Sequence, residues 1–160
     1  KMEHTKHTLN ELLVGLFNYI LYIEEKNLKN NHINLSMTEV HMLESISKAS
    51  NNTMSHIARR SMITQGTLTT NVNRLEKKGL VERRPDEKDR RITRLYITDK
   101  AKEVLAIHDQ FHEAMIDKVV EDLKLNDNEI LMKSLENLMD YFYTEYAIQE
   151  GEQPVYKSES

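Results

Sequence analysis

Residues 53–98, TMSHIARRSMITQGTLTTNVNRLEKKGLVERRPDEKDRRITRLYIT, constrain the fold more than any other part of the chain. Thr53 is a hydroxyl N-cap ahead of a short helix that turns Met54, Ile57 and Ala58 inward. A turn around Ser61–Thr64 ends in a second hydroxyl cap. The next helix buries Leu68, Val72 and Leu75 on one side and stops at Gly79, which suits the left-handed conformation that closes helices. Leu80–Arg84 and Thr93–Ile97 are β-capable runs, joined by a tip over Pro85–Arg91 too polar to pack. Helix, turn, helix and a two-stranded hairpin make a winged helix-turn-helix.

The face of the second helix opposite Leu68, Val72 and Leu75 carries Gly66, Thr70, Asn73 and Lys77, flanked by Gln65, Thr69 and Arg74. Small hydrogen-bonding residues with an arginine, and no bulky apolar group, suit a helix lying in a DNA major groove. A small interaction domain with a solvated charged loop is the alternative, and charge distribution argues against it. Residues 54–100 hold 12 Lys/Arg and 6 Asp/Glu, a local +6 in a chain of net charge −4, so the remainder carries −10. An acidic protein that gathers its positive charge on one such module has the electrostatic footprint of a nucleic-acid binder.

The rest of the chain reads as helix. At 160 residues with 39% apolar content it makes one domain, or one domain with an extension. Leu9, Leu12, Leu13, Leu16, Phe17, Ile20 and Leu21 form a helical stripe over residues 8–29. Ser36-Met-Thr-Glu39 is a capping box that starts a helix with Met42, Leu43 and Ile46 inward. After Thr98 a long helix runs to about Leu123, and the stretch from Asn126 to Glu129 caps a last one bearing Ile130 to Tyr146. These outer helices have more apolar face than a small monomer can bury, so the first and the last two are expected to pair with a second copy. The expected organisation is therefore mainly α. It comprises a dimerisation helix over 1–35, the winged helix-turn-helix over 36–98, dimerisation helices over 99–148 and a disordered polar tail over 149–160. A two-fold dimer would set two recognition helices in successive major grooves of palindromic double-stranded DNA.

No run approaches the ~20 apolar residues of a membrane span, no signal peptide is visible, and there is no cysteine. These features lead us to expect a cytoplasmic protein that does not engage a membrane, with Lys1 an added residue before Met2. No Gly-rich phosphate loop and no Ser or Cys nucleophile in a recognisable turn is present, so an enzyme is not expected.

The segment DEKDRRITRLYIT, with Asp89, Arg91, Leu95 and Thr98, resembles the wing of the MarR family of bacterial regulators, and the likeness runs from about residue 8 to 147. It implies that Arg91 enters the minor groove beside the site and that Asp89 orients it or a neighbouring arginine. A guanidinium on a narrow loop suits the negative potential of a narrow A·T minor groove. The expected DNA-contacting residues are Gln65, Gly66, Thr69, Thr70, Asn73, Arg74, Lys88, Arg90 and Arg91.

Within that family, LFNYILYIEE (16–25), ITQGTLTTNVNRLEKKGLVER (63–83) and HDQFHEAM (108–115) are most similar to the fatty-acid-synthesis repressors of Gram-positive bacteria. That likeness implies acyl–acyl carrier protein as co-repressor and an apolar tunnel between the dimer helices and the DNA module. Met37, Met42, Met54, Met62 and Met115 could line such a tunnel, although methionine at helical spacing is more often ordinary core.

A second constellation points elsewhere. His108 and His112 stand four residues apart on one helix face, the spacing of paired imidazole ligands. His41 on the second helix and Glu24 or Glu25 late in the first could converge there. Three histidines and a carboxylate would hold Zn²⁺ tetrahedrally, and zinc-sensing members of the family use a comparable set. The other reading is hydrogen-bonded core histidines that bind a carboxylate such as Glu24. No cofactor is required on the acyl-carrier reading; zinc belongs to one alternative, a zinc-responsive repressor, and a regulator sensing another small molecule is the other.

Overall fold

The structure, a computed structural model, describes residues 1–146. The chain opens with α1 (Met2–Glu11), which continues through a π-helical segment (Leu12–Leu16) into α2 (Phe17–Asn30). There follow α3 (Met37–Lys48), α4 (Met54–Arg60), α5 (Gln65–Lys77), β1 (Val81–Pro85), β2 (Thr93–Ile97), α6 (Asp99–Leu123) and α7 (Glu129–Glu145). Among the described residues no helix is long and apolar enough to cross a membrane.

Local chemistry sets the helix boundaries. Ser36 and Glu39 close the capping box in both directions at α3, with Ser36 N–H donating to Glu39 Oε2 at 2.9 Å and Glu39 N–H to Ser36 Oγ at 3.2 Å. The hydroxyls of Thr53, Thr64 and Thr98 accept from the third residue onward at the starts of α4, α5 and α6. Gly79 takes φ +72° after α5, where a side chain would be strained. The first helix begins at Met2 rather than near residue 8, because its polar opening turns have propensity enough to extend it without an apolar stripe. The first strand is shifted by one residue, to Val81–Pro85. Proline is tolerated at the strand's end, where Pro85 faces Thr93.

The two strands pair antiparallel, with Val81 opposite Ile97 and Arg83 opposite Leu95. Asn52 extends the pairing: its backbone carbonyl accepts from Leu95 N–H at 2.9 Å and its Nδ2 donates to the Leu95 carbonyl at 2.8 Å. The core is a single cluster beneath the helix-turn-helix. It brings Val40, Leu43 and Ile46 of α3 together with Ile57, Leu68, Val72, Leu75, Leu80, Leu95 and Ala101. Met37 and Met42 are part of this packed core, and Met62 is exposed at the turn with φ +56°. Those three methionines therefore do not line one tunnel in the single chain.

The outer helices expose apolar side chains. Leu9, Leu12, Leu13, Leu16 and Phe17 are exposed, and α7 has no buried residue, with Ile130 84% exposed. The expected tail over 149–160, and the last residues of the region expected to dimerise, lie outside the described residues.

Candidate nucleic-acid interface and a buried histidine cluster

Burial of Leu68, Val72 and Leu75 fixes the rotation of α5 and leaves Gln65, Gly66, Thr70, Asn73 and Arg74 exposed, with Thr69 half-buried. Two of the expected groups are already engaged within the helix: Thr69 Oγ1 donates to the Gln65 carbonyl at 2.9 Å and Thr70 Oγ1 to that of Gly66 at 3.1 Å. Asn73 accepts from Arg83 of β1, and Arg83 also pairs with Glu76, so wing and helix are tied on this face. A Cβ on Gly66 would meet only Thr64 Oγ1, at 3.9 Å. Nothing inside the protein requires glycine there, and the bare backbone leaves room for an external surface.

The wing is built on a residue that sequence reasoning passed over. Asp86 accepts from the backbone N–H groups of Lys88 and Asp89 at 3.0 Å and from Arg94 Nε at 2.6 Å. Arg94 NH1 in turn donates to Asn52 Oδ1 at 2.9 Å. The Arg94 guanidinium, with the two amides, holds the Asp86 carboxyl down at about 2. A signal was available, since an aspartate in a polar loop commonly forms a turn by accepting the backbone N–H two residues on. The partner across the hairpin was not readable from local spacing.

Asp89 sits at the tip and grips Arg91 twice, at 3.0 Å to Nε and 2.9 Å to NH2, while also accepting the Arg91 backbone N–H at 3.1 Å. These bonds from Arg91 hold the Asp89 carboxyl below its ordinary range. The Arg91 side chain is nevertheless 90% exposed. It is a cation held in one orientation and offered to solvent, the property expected of a residue that enters a groove. Lys88 and Arg90 are exposed beside it, and Arg84 stacks over Tyr96 at 4.5 Å.

The three histidines gather around Glu24, with His108 buried, His112 half-buried and His41 exposed. Glu24 of α2, buried, has Oε2 at 3.4 Å from His41 Nε2, 3.4 Å from His112 Nε2 and 3.9 Å from His108 Nε2. Glu25 is exposed and takes no part. A fifth group, Glu44, was missed although it lies one helical turn beyond His41; its Oε1 is 3.2 Å from His108 Nε2. His108 is 1% exposed. Burial lowers its pKa, but the Glu44 hydrogen bond and the charges of Glu44, Glu24 and Asp109 outweigh that and raise it. Glu44 moves the complementary way: burial raises its pKa, and the His108 hydrogen bond with the charges of His108, Lys48 and His41 outweighs this and lowers it. Glu24 Oε2 and His112 Nε2 are buried without a hydrogen-bond partner.

Residues 35–93 match the description of the MarR family. FabT from Streptococcus pneumoniae, solved in complex with DNA, is 35% identical, with 87% of this chain and 98% of that chain covered and a TM-score of 0.80. The transcriptional regulator BldR from Sulfolobus solfataricus is 26% identical over 88% of this chain and 98% of that one, with a TM-score of 0.64. A MarR family protein from Bacillus stearothermophilus shares the fold at 20% identity, covering 86% and 97% of the two chains with a TM-score of 0.70. No curated protein matches the chain. The chain belongs to the MarR family of transcriptional regulators.

Proposed function

We propose that this chain is a homodimeric, DNA-binding repressor of fatty-acid-synthesis genes that uses acyl–acyl carrier protein as co-repressor. The observation that carries the DNA reading is the wing. A fully offered guanidinium, fixed by Asp89 on a loop itself fixed by Asp86 and Arg94, stands beside a recognition helix whose outer face is small and polar. The likeness to FabT in its DNA complex extends over the same elements. Dimerisation is supported by the apolar α1–α2 and α7 surfaces, which a single chain leaves in water at a cost of roughly 25 cal/mol per Å².

The acyl-carrier assignment rests on the FabT likeness and is tested by titrating operator binding with acylated and free carrier protein. Acylated protein alone should tighten binding, and longer chains should act more strongly, since each further buried methylene adds about 0.8 kcal/mol. An acyl chain that leaves operator affinity unchanged overturns the assignment without touching the DNA reading.

The histidine cluster favours a second reading, zinc-responsive repression. Tetrahedral Zn²⁺ with bonds near 2.0–2.2 Å places its ligand atoms about 3.3–3.5 Å apart. The separations of Glu24 Oε2 from His41 and His112 match that, the 3.9 Å to His108 is longer, and Glu24 Oε2 and His112 Nε2, buried without a hydrogen bond, are suited to a cation. Glu24, His108 and His112 lie close enough to share the ion, whereas His41 falls in a separate set with Glu44 and His108 and would have to move in to complete the four-ligand site that ties α2, α3 and α6 together. A chelator should then change operator affinity, and His108→Ala should abolish the response. Chelator-insensitive DNA binding by the parent protein removes this reading.

A further inference from the structure

Arg83 stands on β1 at the base of the wing, yet both of its partners lie on the recognition helix. Its NH2 donates to Asn73 Oδ1, and its Nε pairs with Glu76 Oε1. Asn73 and Glu76 are three residues apart on α5, so one planar guanidinium holds both from the neighbouring strand. The fork leaves the Arg83 side chain 32% exposed, and it neutralises a carboxylate that would otherwise repel DNA phosphates.

This pairing decides what Asn73, exposed on the outward face of α5, can offer a base. A carboxamide accepts at its oxygen and donates at its nitrogen, and a half-turn of the terminal torsion exchanges the two. Arginine has donors and no acceptor, so the exchanged amide would set N–H against N–H. Asn73 is therefore held with Oδ1 on Arg83, and its Nδ2 makes no hydrogen bond among the described residues. Asparagine's usual major-groove partner is adenine, which needs both ends at once: Nδ2 donates to N7 and Oδ1 accepts from the N6 amino group. Here Oδ1 already carries a cationic donor, which the adenine amino group would have to approach. Guanine offers two acceptors on the same edge, N7 and O6, and donors alone suffice to bind it.

We propose that Arg83 is a positioning residue that locks Asn73 as a hydrogen-bond donor, so that each recognition helix reads guanine rather than adenine at the base facing Asn73. The assignment rests on the DNA-binding reading given above and on neither effector reading.

The test selects sites from randomised duplex DNA with the full chain at fixed salt. In the parent, one position of each half-site should hold guanine and lose its preference in Asn73→Ala. Asn73→Asp should lose it too, because a carboxylate keeps the bond to Arg83 but has no N–H to give. In Arg83→Gln, whose amide accepts as well as donates, the Asn73 amide is free to turn. The guanine-to-adenine ratio at that position should then fall about tenfold, whatever the change in overall affinity, with preferences elsewhere unchanged. Arg83→Lys, again a donor only, should retain guanine. A comparison on the parent alone covers a folding defect in Arg83→Gln: hypoxanthine, which keeps N7 and O6, should replace guanine without loss, and adenine should weaken binding about tenfold. Any base other than guanine at the Asn73-dependent position, or no such position, would overturn the proposal and leave DNA binding in place. Retained preference in Asn73→Asp would also overturn it, by showing that Oδ1 reads the amino group of the paired cytosine. So would an Arg83→Gln variant weakened equally on every sequence, the result of a merely structural tie. A parent that selects no sequence would overturn it together with the DNA reading.

Discussion

Removing the Arg91 side chain tests the wing most directly, because the structure separates its effect on binding from any effect on folding. With 90% of the side chain exposed and Asp89 its only partner among the described residues, Arg91→Ala removes no packing and should leave the thermal midpoint unchanged. Operator affinity should fall roughly 5- to 150-fold, the loss of one well-placed DNA contact. Asp89→Ala keeps the cation but frees it. Fixing a mobile arginine costs up to ~2 kcal/mol of rotamer entropy, and loss of an acid near phosphates offsets part of that, so a fall of about tenfold or less is expected. The combined variant should bind no worse than Arg91→Ala, because Asp89 acts through Arg91. The assay is operator binding by fluorescence anisotropy at fixed salt, completed as a double-mutant cycle. Multiplicative losses in the combined variant would refute the positioning role of Asp89, and an unaffected Arg91→Ala would remove the wing from the DNA interface.

Leu16→Asp and Leu138→Asp should each put a charge into the expected helix interface, giving monomers by sedimentation and loss of operator binding; a parent monomer at micromolar concentration would contradict this. Gly66→Ala should leave stability within about 1 kcal/mol or improve it, since a Cβ has room, yet weaken operator binding if the backbone approaches DNA there; unchanged binding would exclude close approach. Glu39→Ala should destabilise the fold by roughly 1–2 kcal/mol, because it opens the α3 capping box and releases Lys78, whose partial exposure limits its share. Burial raises the Glu39 pKa, but the Ser36 and Lys78 hydrogen bonds outweigh it and the net direction is down. The parent's extra stability should therefore be present above the ordinary glutamate range and be lost as the pH falls below it, and Glu39→Ala should flatten that part of the pH–stability curve by chemical denaturation.

The helix-turn-helix and the hairpin were legible in the chain because their signals are local. Caps at Thr53, Thr64 and Thr98, the inward repeat of Leu68, Val72 and Leu75, and a left-handed glycine at 79 each act within a few residues. The outward face of α5 followed from the same periodicity. The wing's arginine could be named from its motif, but its support by Asp86, Arg94 and Asn52 could not, since Asn52 and Arg94 are 42 positions apart in the chain. The helical spacing of His108 and His112 was likewise visible. That Glu24 rather than Glu25 meets them and His41, and that Glu44 competes for His108, depended on how α2 and α3 pack against α6. Sequence sets each side chain's position on its own helix by a repeat of 3.6 residues; only the packing of one helix on another decides which buried groups find partners and which, like the Arg60 Nε, do not.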